Sequence, residues 1–159
     1  SMQPSDSNNM TYPSAVLKLI PWEGTVSIEM SQQGVVSITT RTSDWWGTSL
    51  EFQAEVGENL ENFKSGYLHF EIRGDADVSF NIGFQTGRYL DCDQINIFAA
   101  FGPGTANQVT DQWSSYKLSI DELNAGTDLK DLTGILSLLS QNPGENKQIS
   151  LKNIYYSRD

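Results

Sequence analysis

The sequence predicts an all-β domain built as a sandwich of two antiparallel sheets. Short segments alternate apolar and polar side chains, and clusters of Gly, Asn, Asp and Ser interrupt them every ~8–12 residues. Composition agrees. Aromatics make up 11% and charged residues 19% of 159 residues, with four Trp, where a helical bundle would be richer in Ala, Leu, Glu and Lys. A chain of this length fits one domain and can bury a full core without disulfides.

Taken in order, residues 1–13 (SMQPSDSNNMTYP) are polar, contain two Pro and show no periodicity. They are expected to be a disordered linker whose opening Ser-Met is a tag remnant, and the domain is placed at 14–159. Val26–Met30, a Ser-Gln-Gln-Gly turn and Val35–Thr40 form a hairpin. Strands follow at Trp46–Ala54, Gly66–Arg73, Val78–Thr86, Gln94–Phe101, Ser114–Ser119, Ile135–Ser140 and Ile149–Tyr156, with Gly74-Asp75-Ala76-Asp77 as a turn between two of them. Ile120–Asn124 and Asp128–Leu132 are the only helical turns expected.

Neighbouring side chains on a strand point to opposite faces. That assigns Trp46, Thr48, Leu50 and Phe52 to the core, with Leu68, Phe70 and Ile72, and with Val78, Phe80, Ile82 and Phe84. Ile95, Ile97, Ala99 and Phe101 join them. The opposite positions are Trp45, Ser49, Glu51 and Gln53, then Asn81, Gly83 and Gln85, then Asn96, Phe98 and Ala100. A solvated sheet face favours Lys, Glu, Thr and Arg; amides, hydroxyls, a carboxylate and flat rings are instead the groups that hold sugars. Rings cover C–H faces, and the polar groups exchange hydrogen bonds with hydroxyls. Trp45, adjacent to the inward Trp46, is the expected stacking platform. Trp22, in Pro-Trp-Glu-Gly, either caps one end of the sandwich or lines a binding loop, and Trp113 is expected at the core edge. The loop from Gly87 to Gln94 adds Tyr89, Arg88 or Asp91 as a candidate ligand contact, with Tyr89 favoured.

The formal charge of −10, from 20 acidic and 10 basic residues, and the absence of a Lys/Arg cluster in sequence disfavour nucleic acid and anionic glycans, although a local basic pocket would override the average. No segment is apolar enough to span a membrane. Cys92 is the single cysteine, so an internal disulfide and a cysteine zinc cluster are both excluded. His69 is the single histidine, which leaves histidine-based zinc chemistry and a Ser-His-Asp triad without support. A carboxylate pair such as Glu51 and Glu71 would need an enclosed setting to separate its pKa values, and a sandwich of this size offers a shallow face, so no catalysis is expected. A structural calcium is expected where the first and last strands close the sandwich, with Glu23, Asp44 and Asn153 as oxygen ligands.

Trp45-Trp46-Gly47, the run Leu68–Arg73, Val78–Gly87, Gln112–Leu123 and the closing Ile149–Tyr156 together resemble the galactose-binding-like jelly-roll carbohydrate-binding modules. In particular they are similar to the C-terminal module of bacterial exo-β-glucanases. The resemblance implies a jelly-roll β-sandwich, a monomer, and attachment to a glycoside hydrolase acting outside the cell or in the periplasm. It also implies non-catalytic binding of a neutral polysaccharide, with β-1,3 or mixed-linkage β-glucan favoured. Relatives often carry Asp where this chain has Asn153, which weakens the calcium expectation there. The competing reading is an accessory domain that packs against a catalytic neighbour and binds no sugar.

Overall fold

The computed structural model describes residues 8–54, 56–87, 94–124, 129–141 and 145–159, with the backbone alone for 94–98 and 124. Eleven strands among the described residues form two antiparallel sheets. They are β1 (Asn9–Met10), β2 (Leu17–Pro21), β3 (Val26–Met30), β4 (Val36–Thr40), β5 (Trp46–Phe52), β6 (Tyr67–Gly74), β7 (Phe80–Thr86), β8 (Gln94–Phe101), β9 (Ser114–Ser119), β10 (Leu132–Ser140) and β11 (Gln148–Ser157). One sheet has the order β3-β4-β11-β6-β9, with β1 paired to β11; the other has the order β2-β5-β10-β7-β8. One α-helical turn, α1 (Ile120–Asn124), follows β9, and a 3-10 turn at Leu129–Asp131 precedes β10.

Alternation produces this layering. Leu68, Phe70 and Ile72 of β6 are buried, as are Trp46, Leu50 and Phe52 of β5 and Phe80, Ile82 and Phe84 of β7. Their rings meet between the sheets: Phe80 stacks on Phe101 at 5.7 Å, and Phe101 lies 5.8 Å from Phe70 of the opposite sheet. Each buried ring contributes about 1.5–3 kcal/mol relative to exposure. The β3–β4 hairpin forms as expected, with Ile28 opposite Ile38. The Gly74–Asp77 turn does not close a hairpin, because β6 and β7 belong to different sheets. It carries the chain across the sandwich instead.

Two expectations are corrected. Leu17–Pro21 is a strand, the edge of the five-stranded sheet, and ends in the proline that edge positions tolerate. The boundary at residue 14 is also too late: Asn9 and Met10 pair with Ser157 and Tyr156. Met10 and Tyr12 are 7% and 6% exposed, and Tyr12 packs edge-on against Phe52 at 4.8 Å. Asn8–Pro13 is therefore part of the sandwich, not a linker. Apolar burial outweighs the polar average of the segment.

Candidate functional site

The outer face of the five-stranded sheet is built from rows of cross-strand partners. Lys18 pairs with Glu51, Glu51 with Gly134, and Gly134 with Gln85. The next row runs Ile20, Ser49, Ser137, Gly83, and the next Gly47, Leu139, Asn81, Ala100. Directly paired residues share a face. Glycines and serines thus make a low floor, and the larger side chains of β2 and of Trp22 stand along one flank. The floor is recessed: Ser49 and Ser137 are 1% and 0% exposed although both face away from the core.

Trp22 sits on this floor. A Cβ at Gly47 would collide with Cε3 of the Trp22 ring, so only glycine lets the indole lie against β5. The indole N–H donates to Ser49 Oγ at 3.1 Å, and the Ser49 hydroxyl donates to Glu51 Oε2. Thr25 secures the turn that delivers the ring: its hydroxyl donates to the Trp22 carbonyl at 2.7 Å and accepts from the Gly47 N–H at 3.1 Å. The result is a half-buried ring whose orientation is fixed by a relay ending on a half-buried carboxylate. A pre-oriented flat ring beside an ordered carboxylate suits an uncharged ring-shaped ligand bearing hydroxyls.

A family model described as Carbohydrate binding domain 30 matches residues 2–158. The chain belongs to that family. It is accordingly a non-catalytic carbohydrate-binding domain, and its ligand is a carbohydrate. A crystal structure of a family 30 carbohydrate-binding module is 18% identical with a TM-score of 0.65, over 89% of this chain and 77% of that one. The family 30 module of a cellulosomal cellulase of Clostridium thermocellum is also 18% identical, with a TM-score of 0.64 over 89% and 86% of the two chains. The family 11 module of Clostridium thermocellum, solved with a β-1,3-1,4-mixed-linked tetrasaccharide, is 12% identical with a TM-score of 0.56 over 89% and 88%. At these identities the structures share the fold, which confirms the jelly-roll sandwich. No curated protein matches the sequence.

Within this family 30 domain the expected binding residues part company. Glu51 and Asn81 lie half-buried on the outer face. Trp45 is half-buried just ahead of β5, on the side of Gly47 by alternation, with its backbone N–H donated to Asp44 Oδ1 at 2.8 Å. Gln85 is not an exposed amide. It is 5% exposed, its Oε1 accepts from the Ser137 hydroxyl at 3.3 Å, and it fills the space that Gly134 leaves. Gln53 is not on the floor either, since β5 ends at Phe52. Its amide donates to the Leu17 carbonyl at 2.8 Å, and it borders a hollow of about 570 Å³ at the sandwich end. Arg88, Tyr89, Asp91 and the side chains of Asn96 and Phe98 lie outside the described residues. The register of β8 against β7 shifts between its pairings with Ile82 and Gly83, so strict alternation does not carry across Phe98.

Trp22, which the sequence leaves open between an end cap and a binding loop, lies against the outer sheet face. Its signal was the glycine at position 47, directly after two tryptophans on a strand that otherwise carries side chains. The expected calcium ligands are not assembled. Glu23 lies in the turn before β3 and Asp44 in the loop before β5, both near the Val26–Thr40 end of the β3–β4 hairpin. Asn153 lies beyond the Leu151–Val36 pair at the other end, where its amide donates to Glu71. Five strand residues, about 13 Å, separate the two ends. Among the described residues no group of three His, Cys, Asp or Glu converges on a common point.

Proposed function

We propose that this domain binds a β-glucan chain, β-1,3-linked or of mixed linkage, on the outer face of the five-stranded sheet. The observation that carries the reading is Trp22, seated against Gly47 and oriented through Ser49 to Glu51. A pyranose stacks on the indole, Glu51 and Asn81 take its hydroxyls, and Trp45 extends the platform. The recessed glycine and serine floor favours an unbranched, uncharged chain. A mixed-linkage tetrasaccharide in the family 11 module of the same fold is in keeping with this ligand class. The domain then serves by holding an attached glycoside hydrolase on its substrate outside the cell, where weak binding becomes useful through raised local concentration. Shallow sites of this kind bind in the micromolar to millimolar range, about −4 to −8 kcal/mol.

Affinity electrophoresis of the domain in gels containing laminarin, lichenan, xylan or agarose tests the reading. Retardation by laminarin or lichenan that disappears in Trp22→Ala supports it. No retardation in any gel removes the β-glucan and favours a domain that only packs against its neighbour. Retardation untouched by Trp22→Ala moves the site elsewhere.

A further inference from the structure

The opposite face of the sandwich gathers what the sequence disperses. Although the chain has 20 acidic and 10 basic residues, three cations stand on the outer face of the six-stranded sheet, and none of them makes an ion pair among the described residues. Each rests on a ring. Arg73 lies 4.7 Å and Lys152 4.3 Å from the centroid of Trp113, and Lys117 lies 4.0 Å from that of Tyr67. Lys117 pairs across from His69, Lys152 across from Glu71, and Arg73 follows on β6, so the charges step along the sheet about 7 Å per row.

The pairing of Lys152 with Glu71 is the decisive detail. Opposite charges directly across two strands ordinarily join. Here the register of β11 shifts between Lys152 and Tyr155, Asn153 adopts a left-handed conformation (φ 52°), and its amide donates to the Glu71 carboxylate. The bulge thus turns a neutral amide, in place of the Lys152 ammonium, onto the carboxylate paired across from Lys152, and the ammonium lies on Trp113. A guanidinium and an ammonium on one indole, with no ion pair among the described residues, keep their hydrogen-bond donors free for an anion from outside. A pair of cations at Trp113 and a single one at Tyr67, with the hydroxyls of Ser115 and Ser150 beside them, match carboxylates spaced along a sugar chain. They do not match the dense phosphates of nucleic acid.

We propose that this face is a second ligand surface, specific for a polysaccharide that carries uronate carboxylates and independent of the groove on the other sheet. Arg73 and Lys152 take one carboxylate beside Trp113, Lys117 takes another beside Tyr67, and the serines contact sugar hydroxyls.

Titration calorimetry of the whole chain with a glucuronic-acid-bearing xylan, and with the same polymer after carboxyl reduction, tests this. Binding should be at least about tenfold weaker to the reduced polymer and fall by a similar factor when salt is raised to about 0.3 M. The triple variant Arg73→Gln, Lys117→Gln, Lys152→Gln should lose the acidic polymer and keep whatever neutral-glucan binding the parent shows. Equal affinity for the native and reduced polymers overturns the proposal, as does salt-insensitive binding or a folded triple variant that binds normally. Should the triple variant not fold, the two polymers and the salt series on the parent chain still decide. Binding only to acidic proteins, with none to the xylan, would reassign the face to a protein neighbour and equally overturn the glycan reading.

Discussion

Adjacent tryptophans 45 and 46 sit at different depths. Trp46 is fully buried, with its ring 5.9 Å from Phe80, so Trp46→Ala should lower unfolding free energy by about 3–5 kcal/mol in urea melts. Trp45→Ala should cost much less. Equal losses would show that the two rings share an environment. Trp22 gives the sharper outcome. Trp22→Ala should weaken glucan binding by about 1–3 kcal/mol, read as lost gel retardation, with the domain still folded. Gly47→Ala should weaken binding while leaving Trp22 in place chemically, because the added methyl lifts the ring off β5. If Gly47→Ala binds as well as the parent, the seating of the ring against Gly47 is not what binds. Period-two alternation was enough to bury Trp46 correctly. Trp22 was not legible because its partner Ser49 lies 27 positions away, and a contact of that span leaves no local pattern.

Strands with an unbroken apolar alternation, β5, β6 and β7, were legible nearly to the residue, as was the β3–β4 hairpin with its turn. Legibility failed where a strand bends. The register shift of β8 and the bulge of β11 at Asn153 both break the rule that assigns faces, and nothing in composition marks either position. The amide of Gln85 was placed on the right face but at the wrong depth, since Gly134 opposite it lets the side chain sink to the Ser137 hydroxyl. Gly134→Val should therefore drive a branched side chain against Gln85 and destabilise by about 1–3 kcal/mol in thermal melts. A Tm unchanged by that substitution would mean that the floor is open there. Across the other sheet, His69 stacks on Tyr155 at 4.3 Å and shares a hydrogen bond of 2.7 Å with Ser157 Oγ. Burial first, and the Lys117 ammonium second, hold its pKa below the ordinary 6.5. The folded state thus binds a proton less readily than the unfolded chain. Stability should be unaffected above pH 6.5 and should decline as pH falls below it, until the folded form also protonates. Melts of the parent and His69→Gln from pH 7.5 to 5 check this, and the variant should show the shallower decline.

How the two sheets close on each other explains why the domain boundary was the least legible feature of the fold. Composition averages over a segment, whereas burial is decided side chain by side chain. Among the described residues of the polar run before residue 14, Met10 and Tyr12 are the ones that reach the interior, and two apolar residues among many polar ones produce no periodicity. Their positions matter because β4 pairs with β11 only as far as Leu151. The remaining edge of β11 would be open backbone were β1 not bonded at Tyr156 and Ser157. Tyr12 then covers Phe52 at the same end of the sandwich. A chain begun at Ser14 should lose both buried side chains and the β1 pairing. By area this amounts to about 3–5 kcal/mol, enough to consume much of the stability of a domain of this size. Chemical denaturation of 8–159 against 14–159 measures it. A shorter chain that unfolds at the same urea concentration would return the first strand to the status of a linker. A large loss would make the pairing of β1 with β11 part of what keeps the sandwich shut, with the outer faces of both sheets depending on it.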